Sequence, residues 1–262
     1  MTTATLERSR GDGRISAKRI GAQSRLATLR QDGSARIGLP RAHGGVQGVL
    51  INTSGGMTSG DRMRWQADAT SGAQLTLTTQ ACERIYRCND GPAETTVRLS
   101  AASGAHLAWL PQETLLYDRA QYRRRIEVDL APDAQFLLVE PLLFGRLAMG
   151  EAVRRASMRD DWRIRRDGVL IHAEALRFHS DDVPNLLGGN MAYATVIFIS
   201  AQTEGMLPIA RRIIAHSGGA SAIGDKLICR LVAPDGYELR KRLVPLIAAL
   251  HFDRDVPRLW ML

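Results

Sequence analysis

The sequence predicts a mainly β protein built from stacked antiparallel sheets, with a few helices, two of them in the C-terminal third. Three observations support this prediction. Between residues 25 and 179, apolar and polar side chains alternate in short runs, as they do in half-buried strands. Turn dipeptides separate these runs at strand-length spacing. After residue 200, apolar residues recur at helical spacing.

The runs in the first two thirds of the chain are bounded by dipeptides that end in glycine. These dipeptides are Asp32-Gly33, Ser71-Gly72, Asp90-Gly91, Ser103-Gly104 and Asp167-Gly168. Because glycine adopts positive φ without strain, an Asp-Gly pair between two alternating runs is typical of a tight β-hairpin. We therefore expect neighbouring runs to pair as antiparallel strands. One of these runs, the apolar FLLV, ends at Glu140.

Two segments near the C-terminus have the apolar spacing of helices. The first is expected from Thr203 through residue 215, before the pair Gly218-Gly219, and the second follows the turn at Pro234-Asp235-Gly236. The apolar face of the second helix comprises Leu239, Leu243, Leu246, Ile247 and Leu250. We expect this face to lie in the core, with docking of a partner protein as the alternative.

The chain has 262 residues and a formal net charge of +8. Residues 1–24 are basic and lack periodicity, which predicts a flexible N-terminal arm, and residues 25–262 are expected to form a single domain. The positive charge fits either a nucleic acid or an acidic protein partner. Three cysteines, no apolar leader and only short apolar runs favour a cytoplasmic location away from membranes.

Common catalytic signatures are absent from the sequence. It contains no Gly-Lys-Ser/Thr phosphate loop, no HExxH zinc motif and no GxSxG motif. A hydrolase with Cys82 as nucleophile would need a histidine base, and no histidine is nearby in the sequence, so a buried structural cysteine is preferred. The main alternative is a basic β domain that binds nucleic acid. The run Arg123-Arg124-Arg125 supports it, although aromatic residues make up only 5% of the chain.

Four segments in a fixed order carry a family resemblance. They are GGMTSGD at 55–61, TTQACERIY at 78–86, WLPQET at 109–114 and EPLLFGRLAMGE at 140–151. Together with the C-terminal segment GDKLICRLVAPDGYELRKRLVPLIAAL, they resemble the urease accessory protein D family (UreD, also called UreH). The resemblance covers roughly residues 25–262.

The resemblance implies a β-helix-like stack of two sheets with a few helices, and a role that is not enzymatic. Family members bind the urease apoprotein and the accessory protein UreF, and with UreF they recruit the GTPase UreG, which carries nickel. The implied role is a scaffold, or metallochaperone, in a cytoplasmic complex that can contain two copies of the chain. It would assist GTP-dependent nickel insertion into urease, with nickel in transit, no tightly bound cofactor, and no membrane or nucleic acid as partner.

Matched position by position, the resemblance implies a nickel path through Asp61, Glu140 and Glu174. Nickel accepts oxygen ligands, but imidazole or thiolate would hold it more tightly, so spaced carboxylates suit a path that must release the ion. Arg146 is expected to pair with an acid, in a short helical piece between Gly145 and Gly150. The motif residues with structural roles are Gly55, Gly56, Gly60, Thr79, Gln80, Gln112, Glu113, Gly145, Arg146, Gly150 and Glu151.

Overall fold

The computed structural model describes residues 7–42, 45–145, 153–252 and 254–261. The strands in these segments are β1 (Arg10–Ile20), β2 (Gln23–Gly33), β3 (Ala35–Gly38), β4 (Val46–Asn52), β5 (Arg62–Ala69), β6 (Gln74–Thr79), β7 (Glu83–Ile85), β8 (Ala93–Ala101), β9 (His106–Leu110), β10 (Thr114–Leu116), β11 (Ala120–Leu130), β12 (Gln135–Phe144), β13 (Ala156–Arg166), β14 (Val169–Ser180), β15 (Ala192–Ile199), β16 (Gly218–Ile223) and β17 (Lys226–Ala233). The helices are α1 (Val183–Leu186), α2 (Thr203–Ile214) and α3 (Gly236–Leu250), with short 3-10 turns at Ala215–Ser217 and Arg258–Trp260.

The described strands form two sheets stacked on each other. The seven-stranded sheet has the order β14-β13-β11-β8-β5-β1-β2. The ten-stranded sheet has the order β16-β17-β15-β12-β9-β6-β4-β3, with β10 beside β12 and β7 beside β10. Successive strands alternate between the two sheets over much of the chain. The prediction of a mainly β, β-helix-like stack of two sheets is therefore confirmed.

The expectation of antiparallel neighbours is wrong for the centre of both sheets. In the seven-stranded sheet, each strand pairs in parallel with the next in the series β1, β5, β8, β11 and β13. In the ten-stranded sheet, the same holds for the series β4, β6, β9 and β12. The turns at Ser71-Gly72 and Ser103-Gly104 each carry the chain from one sheet to the other. Both glycines have φ of +64°, and Gly72 N–H donates to the Ser103 carbonyl at 2.8 Å. A positive-φ glycine serves such a crossing turn as well as a hairpin, so turn chemistry alone does not determine the pairing. Asp167-Gly168 does form the expected hairpin, between β13 and β14.

Residues 10–20 are not a flexible arm, so that prediction is wrong for this stretch. They form β1, which pairs with β2 on one side and β5 on the other. Its inward positions begin with Gly11 and Gly13, where added Cβ atoms would overlap the side chains of Met63 and Trp65. The partner strand thus fills the space that larger side chains would occupy. The glycines also hid the apolar alternation from the sequence pattern.

The two C-terminal helices cover the ten-stranded sheet on the side away from the seven-stranded sheet. Their buried residues join a second apolar cluster with strands of that sheet, separate from the cluster between the sheets. Asp235 caps α3 by accepting a hydrogen bond from Glu238 N–H at 2.8 Å. The five leucine and isoleucine residues expected on one face of α3 are all buried. This face is core, as expected, and is not available for docking.

In the part of the chain that the structure describes, no helix combines the length and the apolar character that a bilayer crossing requires.

Candidate functional site

Strands from both sheets bring opposite charges together inside the stack. On β11, Arg124 points inward between Tyr122 and Ile126, and Asp160 is its register partner on the parallel strand β13. Strand β12 of the facing sheet contributes Glu140. Arg124, Glu140 and Asp160 are buried, and we call them the inter-sheet ion cluster.

The guanidinium of Arg124 contacts both carboxylates of the inter-sheet ion cluster. Its Nε donates to Asp160 Oδ1 at 3.0 Å, its Nη2 donates to Oδ2 at 2.5 Å, and its Nη1 donates to Glu140 Oε2. Two indole groups also donate. Trp109 Nε1 lies 2.7 Å from Glu140 Oε1, and Trp162 Nε1 lies 2.6 Å from Asp160 Oδ1. These donors favour the ionised carboxylates and fix their positions between the sheets.

The inter-sheet ion cluster places one guanidinium against two carboxyl groups. Burial raises the pKa of Glu140 to about 7, with Arg124 opposing the rise and the charge of Asp160 adding to it. Burial alone would lower the pKa of Arg124, but the two carboxylates outweigh it and raise that pKa, so the guanidinium stays charged. A nearby cation would favour the ionised form of Glu140. Glu140 is thus a buried acid whose protonation state responds to charge near neutral pH.

Glu140 and Glu174 line the same small cavity as Arg124 and Asp160, and its volume of about 10 Å³ has room for one water-sized group. The Glu174 carboxylate accepts a hydrogen bond from Arg230 on β17, and its Oε2 lies 3.7 Å from Nε2 of His172. His172 is buried, and burial, together with the positive charges of Lys226 and Arg230, lowers its pKa to about 4. The structure therefore brings two of the three predicted path acids together, beside a neutral imidazole.

Asp61, the third predicted path acid, does not line this cavity. It is buried immediately before β5. Its Oδ1 accepts from Ser9 N–H at 2.7 Å and its Oδ2 accepts from Thr58 N–H at 2.8 Å. Asp61 therefore ties the glycine-rich loop to the segment before β1, a structural role in addition to any contact with an ion.

A larger pocket, of about 360 Å³, opens where residues 50–56 and 79–84 meet. Glu83 lies in it and accepts hydrogen bonds from Asn52 Nδ2 at 3.0 and 3.3 Å. Burial raises the pKa of Glu83 to about 7, and the charge of Asp61 adds a smaller rise. Two of the four family-like segments thus meet around an acid that sequence reasoning did not select.

Tyr122 is buried on the inward face of β11, two residues before Arg124. Its hydroxyl is hydrogen-bonded to Thr95, and among the nearby charges Arg124 lowers its pKa whereas Glu83 and Glu140 raise it. Burial raises the pKa of Tyr122, so the phenol is a neutral hydrogen-bonding group. We use the name interior acid series for Asp61, Glu83, Glu140 and Glu174.

The WLPQET segment holds another buried carboxylate, Glu113, which is anchored by α3. Burial would raise the pKa of Glu113, but Arg240, whose nitrogens lie 2.6 and 2.9 Å from its oxygens, outweighs this and lowers the pKa. Arg240 also donates to Gln112. The Cys82 thiol donates to Glu113 at 3.3 Å, and burial together with that carboxylate raises its pKa to about 12. A thiol in this state is a poor nucleophile at neutral pH, which argues against the Cys82 hydrolase.

The remaining motif residues shape the backbone around these groups. Thr79 accepts a hydrogen bond from Gln112 N–H at 2.8 Å, and Gln80 N–H donates to the Leu50 carbonyl. Gly56 has φ of +143°, and a Cβ there would lie 2.8 Å from the Arg84 carbonyl oxygen. Positive φ is also found at Gly55, Gly60 and Gly145.

Part of the last motif lies outside the described residues. Arg146, Gly150 and Glu151 belong to this part, so the predicted pairing of Arg146 and the helical piece between Gly145 and Gly150 stay predictions. Among the described residues, the guanidinium that contacts Glu140 is that of Arg124.

Strand alternation was the signal that could have revealed the missed residues. The segment 120–130 alternates so that Tyr122, Arg124 and Ile126 share one face, and 156–166 places Asp160 on the same face as buried apolar residues. Reading both strands this way predicts an Arg and an Asp inside the core. It also weakens the nucleic-acid alternative, because the middle residue of the arginine run is buried.

The described residues contain no group of three or more His, Cys, Asp or Glu side chains arranged to hold a metal ion.

Comparison with known proteins identifies the family. The model of the UreD urease accessory protein family matches residues 9–261. The chain is 47% identical to the urease accessory protein UreD of Chelativorans sp. strain BNC1 over 264 residues, covering 98% of this chain and 95% of the relative. It is 47% identical to the UreD of Rhizobium etli over 271 residues, covering 100% and 99%. It is 46% identical to urease accessory protein UreD 1 of Brucella abortus over 266 residues, covering 98% and 95%. The chain therefore belongs to the UreD family of urease accessory proteins.

Proposed function

We propose that this protein is a non-enzymatic scaffold for nickel insertion into urease. In this role it binds the urease apoprotein and UreF, and through UreF it meets UreG, in a GTP-dependent complex in the cytoplasm. The interior acid series passes nickel onward during assembly. Membership in the UreD family supports the connection with urease.

The observation that carries the nickel path is the inter-sheet ion cluster. Burying two carboxylates beside one guanidinium is expensive, and apolar side chains of similar size would stabilise such an interior at least as well. The surplus acid is therefore best explained by a cation that visits it. Glu140 suits this task, because its raised pKa lets it lose a proton when the cation arrives and regain one when the cation leaves.

The distribution of the acids over two pockets supports transit rather than storage. Glu83 lies in the larger pocket, while Glu140 and Glu174 share the small cavity. A cation that meets a few carboxylates at a time, some of them already paired with arginine, is bound weakly at each position and can move to the next. Strong nitrogen and sulfur ligands would slow this movement.

The proposal is tested by expressing urease with its accessory proteins and measuring the nickel content of purified urease. Glu140→Gln keeps the side-chain volume and the Trp109 contact but removes the charge, and we expect it to lower nickel content while UreF still copurifies. Glu127→Gln, on the outward face of β11, is the matched control and should leave nickel content unchanged. Normal nickel content with Glu140→Gln and with Glu174→Gln would exclude the path.

Asp61 needs a different variant, because its carboxylate also holds the loop. Asp61→Asn keeps one acceptor oxygen for the backbone donors, whereas Asp61→Ala removes both. A nickel loss seen with Asp61→Ala but not with Asp61→Asn would assign Asp61 to loop structure alone. A loss of UreF copurification in all these variants would instead contradict a path that is separate from scaffolding.

A further inference from the structure

The outer face of the seven-stranded sheet carries a row of arginines across its strands. Register pairing aligns Arg10 on β1, Arg62 on β5, Glu94 on β8, Arg123 on β11, Arg159 on β13 and Arg177 on β14. We call these six residues the arginine row. With strands about 4.8 Å apart, the row is about 24 Å long. The row thus contains five guanidinium groups and one carboxylate, in line across an exposed surface.

Acids on this surface only partly neutralise the arginine row. Glu94 lies 3.2 Å from Arg62 and 3.8 Å from Arg123. Asp161, in the adjacent position, lies 2.5 Å from Arg159 and 3.3 Å from Arg177. Among the described residues, these four arginines share two carboxylates. The four side chains remain more than half exposed, so their remaining N–H donors face solvent.

Two shallow concavities lie along the arginine row, on either side of Glu94. One, of about 390 Å³, is lined by Arg123, Arg159 and Arg177 together with His179. The other, of about 240 Å³, is lined by Arg10, Arg62 and Arg64 and also by the carboxylates of Asp12 and Asp32. The first concavity offers three guanidinium groups around one space and no acid among its lining residues, an arrangement that suits bidentate contacts with carboxylates.

From this arrangement we infer that the arginine row is a docking surface for an acidic segment of a partner protein. A segment of about seven extended residues, rich in Asp and Glu, spans the row. The surface is separate from the proposed nickel path, because it lies on the opposite face of the sheet from the inter-sheet ion cluster. Its test therefore involves neither nickel nor urease.

The composition of the outer face favours a protein partner over a nucleic acid. The outward positions of β5, β8, β11 and β13 carry no aromatic side chain on which bases could stack. They do carry acids, such as Glu94, Glu127 and Asp161, which would repel a continuous line of phosphates. A protein segment can place its carboxylates at the arginines and its neutral residues at the acids.

The test uses the full-length protein and a fluorescein-labelled peptide of twelve residues with Glu at alternate positions, followed by fluorescence anisotropy. We expect saturable binding at about 0.1 M salt, where charges more than about 10 Å apart are largely screened. Arg159→Gln with Arg177→Gln should weaken binding about tenfold, the scale expected when two charged contacts are lost.

A matched pair, Lys18→Gln with Arg165→Gln, removes the same charge at positions at least six residues along β1 and β13 from the arginine row, roughly 20 Å away. It should change affinity less than about twofold, because this distance exceeds the screening length. Equal weakening by both pairs would overturn the inference, because general charge would then explain binding. Absence of saturable binding by the unmodified protein would also overturn it. So would a twelve-base-pair DNA duplex that bound more tightly than the peptide and was weakened by the same variants.

Discussion

Two Arg–Asp pairs one residue apart occupy opposite faces of the same two strands. Arg124 pairs in register with Asp160 inside the stack, and Arg125 pairs in register with Asp161 on the outer face. The inner pair is buried and held by fixed donors. Arg125 is 64% exposed, and its described partner is Glu127. We therefore expect Arg124 and Arg125, adjacent on one strand, to contribute very different stabilisation, because Arg124 is buried between two carboxylates whereas Arg125 is exposed to solvent.

The largest effect should come from Arg124→Gln. This change leaves Glu140 and Asp160 buried without their guanidinium partner, which typically costs about 3–5 kcal/mol of unfolding free energy. Arg125→Gln is the matched control, and it should cost less than about 1 kcal/mol because its contacts are exposed. Urea denaturation followed by circular dichroism measures both. Similar losses in the two variants would contradict the contrast between the faces.

A second, smaller effect concerns the pH dependence of stability through Glu83. Its pKa is about 7 in the folded protein and near 4.5 when unfolded, so the folded state binds the proton more tightly. The resulting stabilisation is fully present below pH 4.5 and is lost as pH rises to about 7. It amounts to a few kcal/mol, since a tenfold difference in proton affinity corresponds to about 1.4 kcal/mol.

Glu83→Gln measures this contribution as a difference. The buried histidines His172 and His251 have pKa values lowered to about 4 by burial, so their contribution has the opposite sign and increases as pH rises from 4 to 6.5. Subtracting the variant from the unmodified protein cancels these contributions. Unfolding free energies that differ by the same amount at pH 5 and pH 8 would show that Glu83 has an ordinary pKa.

Much of this contrast could be predicted from the chain, but not all of it. The alternation of apolar and polar residues in 120–130 and 156–166 is sufficient to show which charged side chains point into the stack and which point to solvent. The parallel pairing that makes Arg124 a neighbour of Asp160 was not predictable from turn dipeptides, because a glycine with positive φ serves both hairpins and crossings.

The interior acid series was only partly accessible to sequence reasoning. Family resemblance supplied Asp61, Glu140 and Glu174, whereas Glu83 becomes visible when the glycine-rich loop folds beside β7. The raised pKa of Glu83 arises from its burial between segments that lie about 30 residues apart in the sequence. Likewise, β1 could not be recognised as a strand from the sequence, because its first inward positions are glycines rather than apolar residues. The side chains of Met63 and Trp65 occupy the space beside these glycines.

The smallest expected effect on stability comes from Asp161→Asn on the outer face. Asp161 contacts Arg159 and Arg177 near the protein surface, so its loss should change the unfolding free energy by less than about 1 kcal/mol, and less still in high salt. Asp160→Asn, at the adjacent inner position, should cost several times more because Asp160 is buried beside Arg124.

Asp161→Asn should also change binding in a direction opposite to its slight effect on stability. Removing this carboxylate releases two guanidinium groups of the arginine row from an internal competitor, so affinity for the Glu-rich peptide should rise about twofold to fivefold, as expected for one added net charge near a binding surface. The measurement is the same anisotropy titration, with Asp129→Asn as control, since Asp129 lies on the same face in a distant row. Weaker peptide binding by Asp161→Asn would mean that this acid orients the arginines for the ligand rather than competing with it.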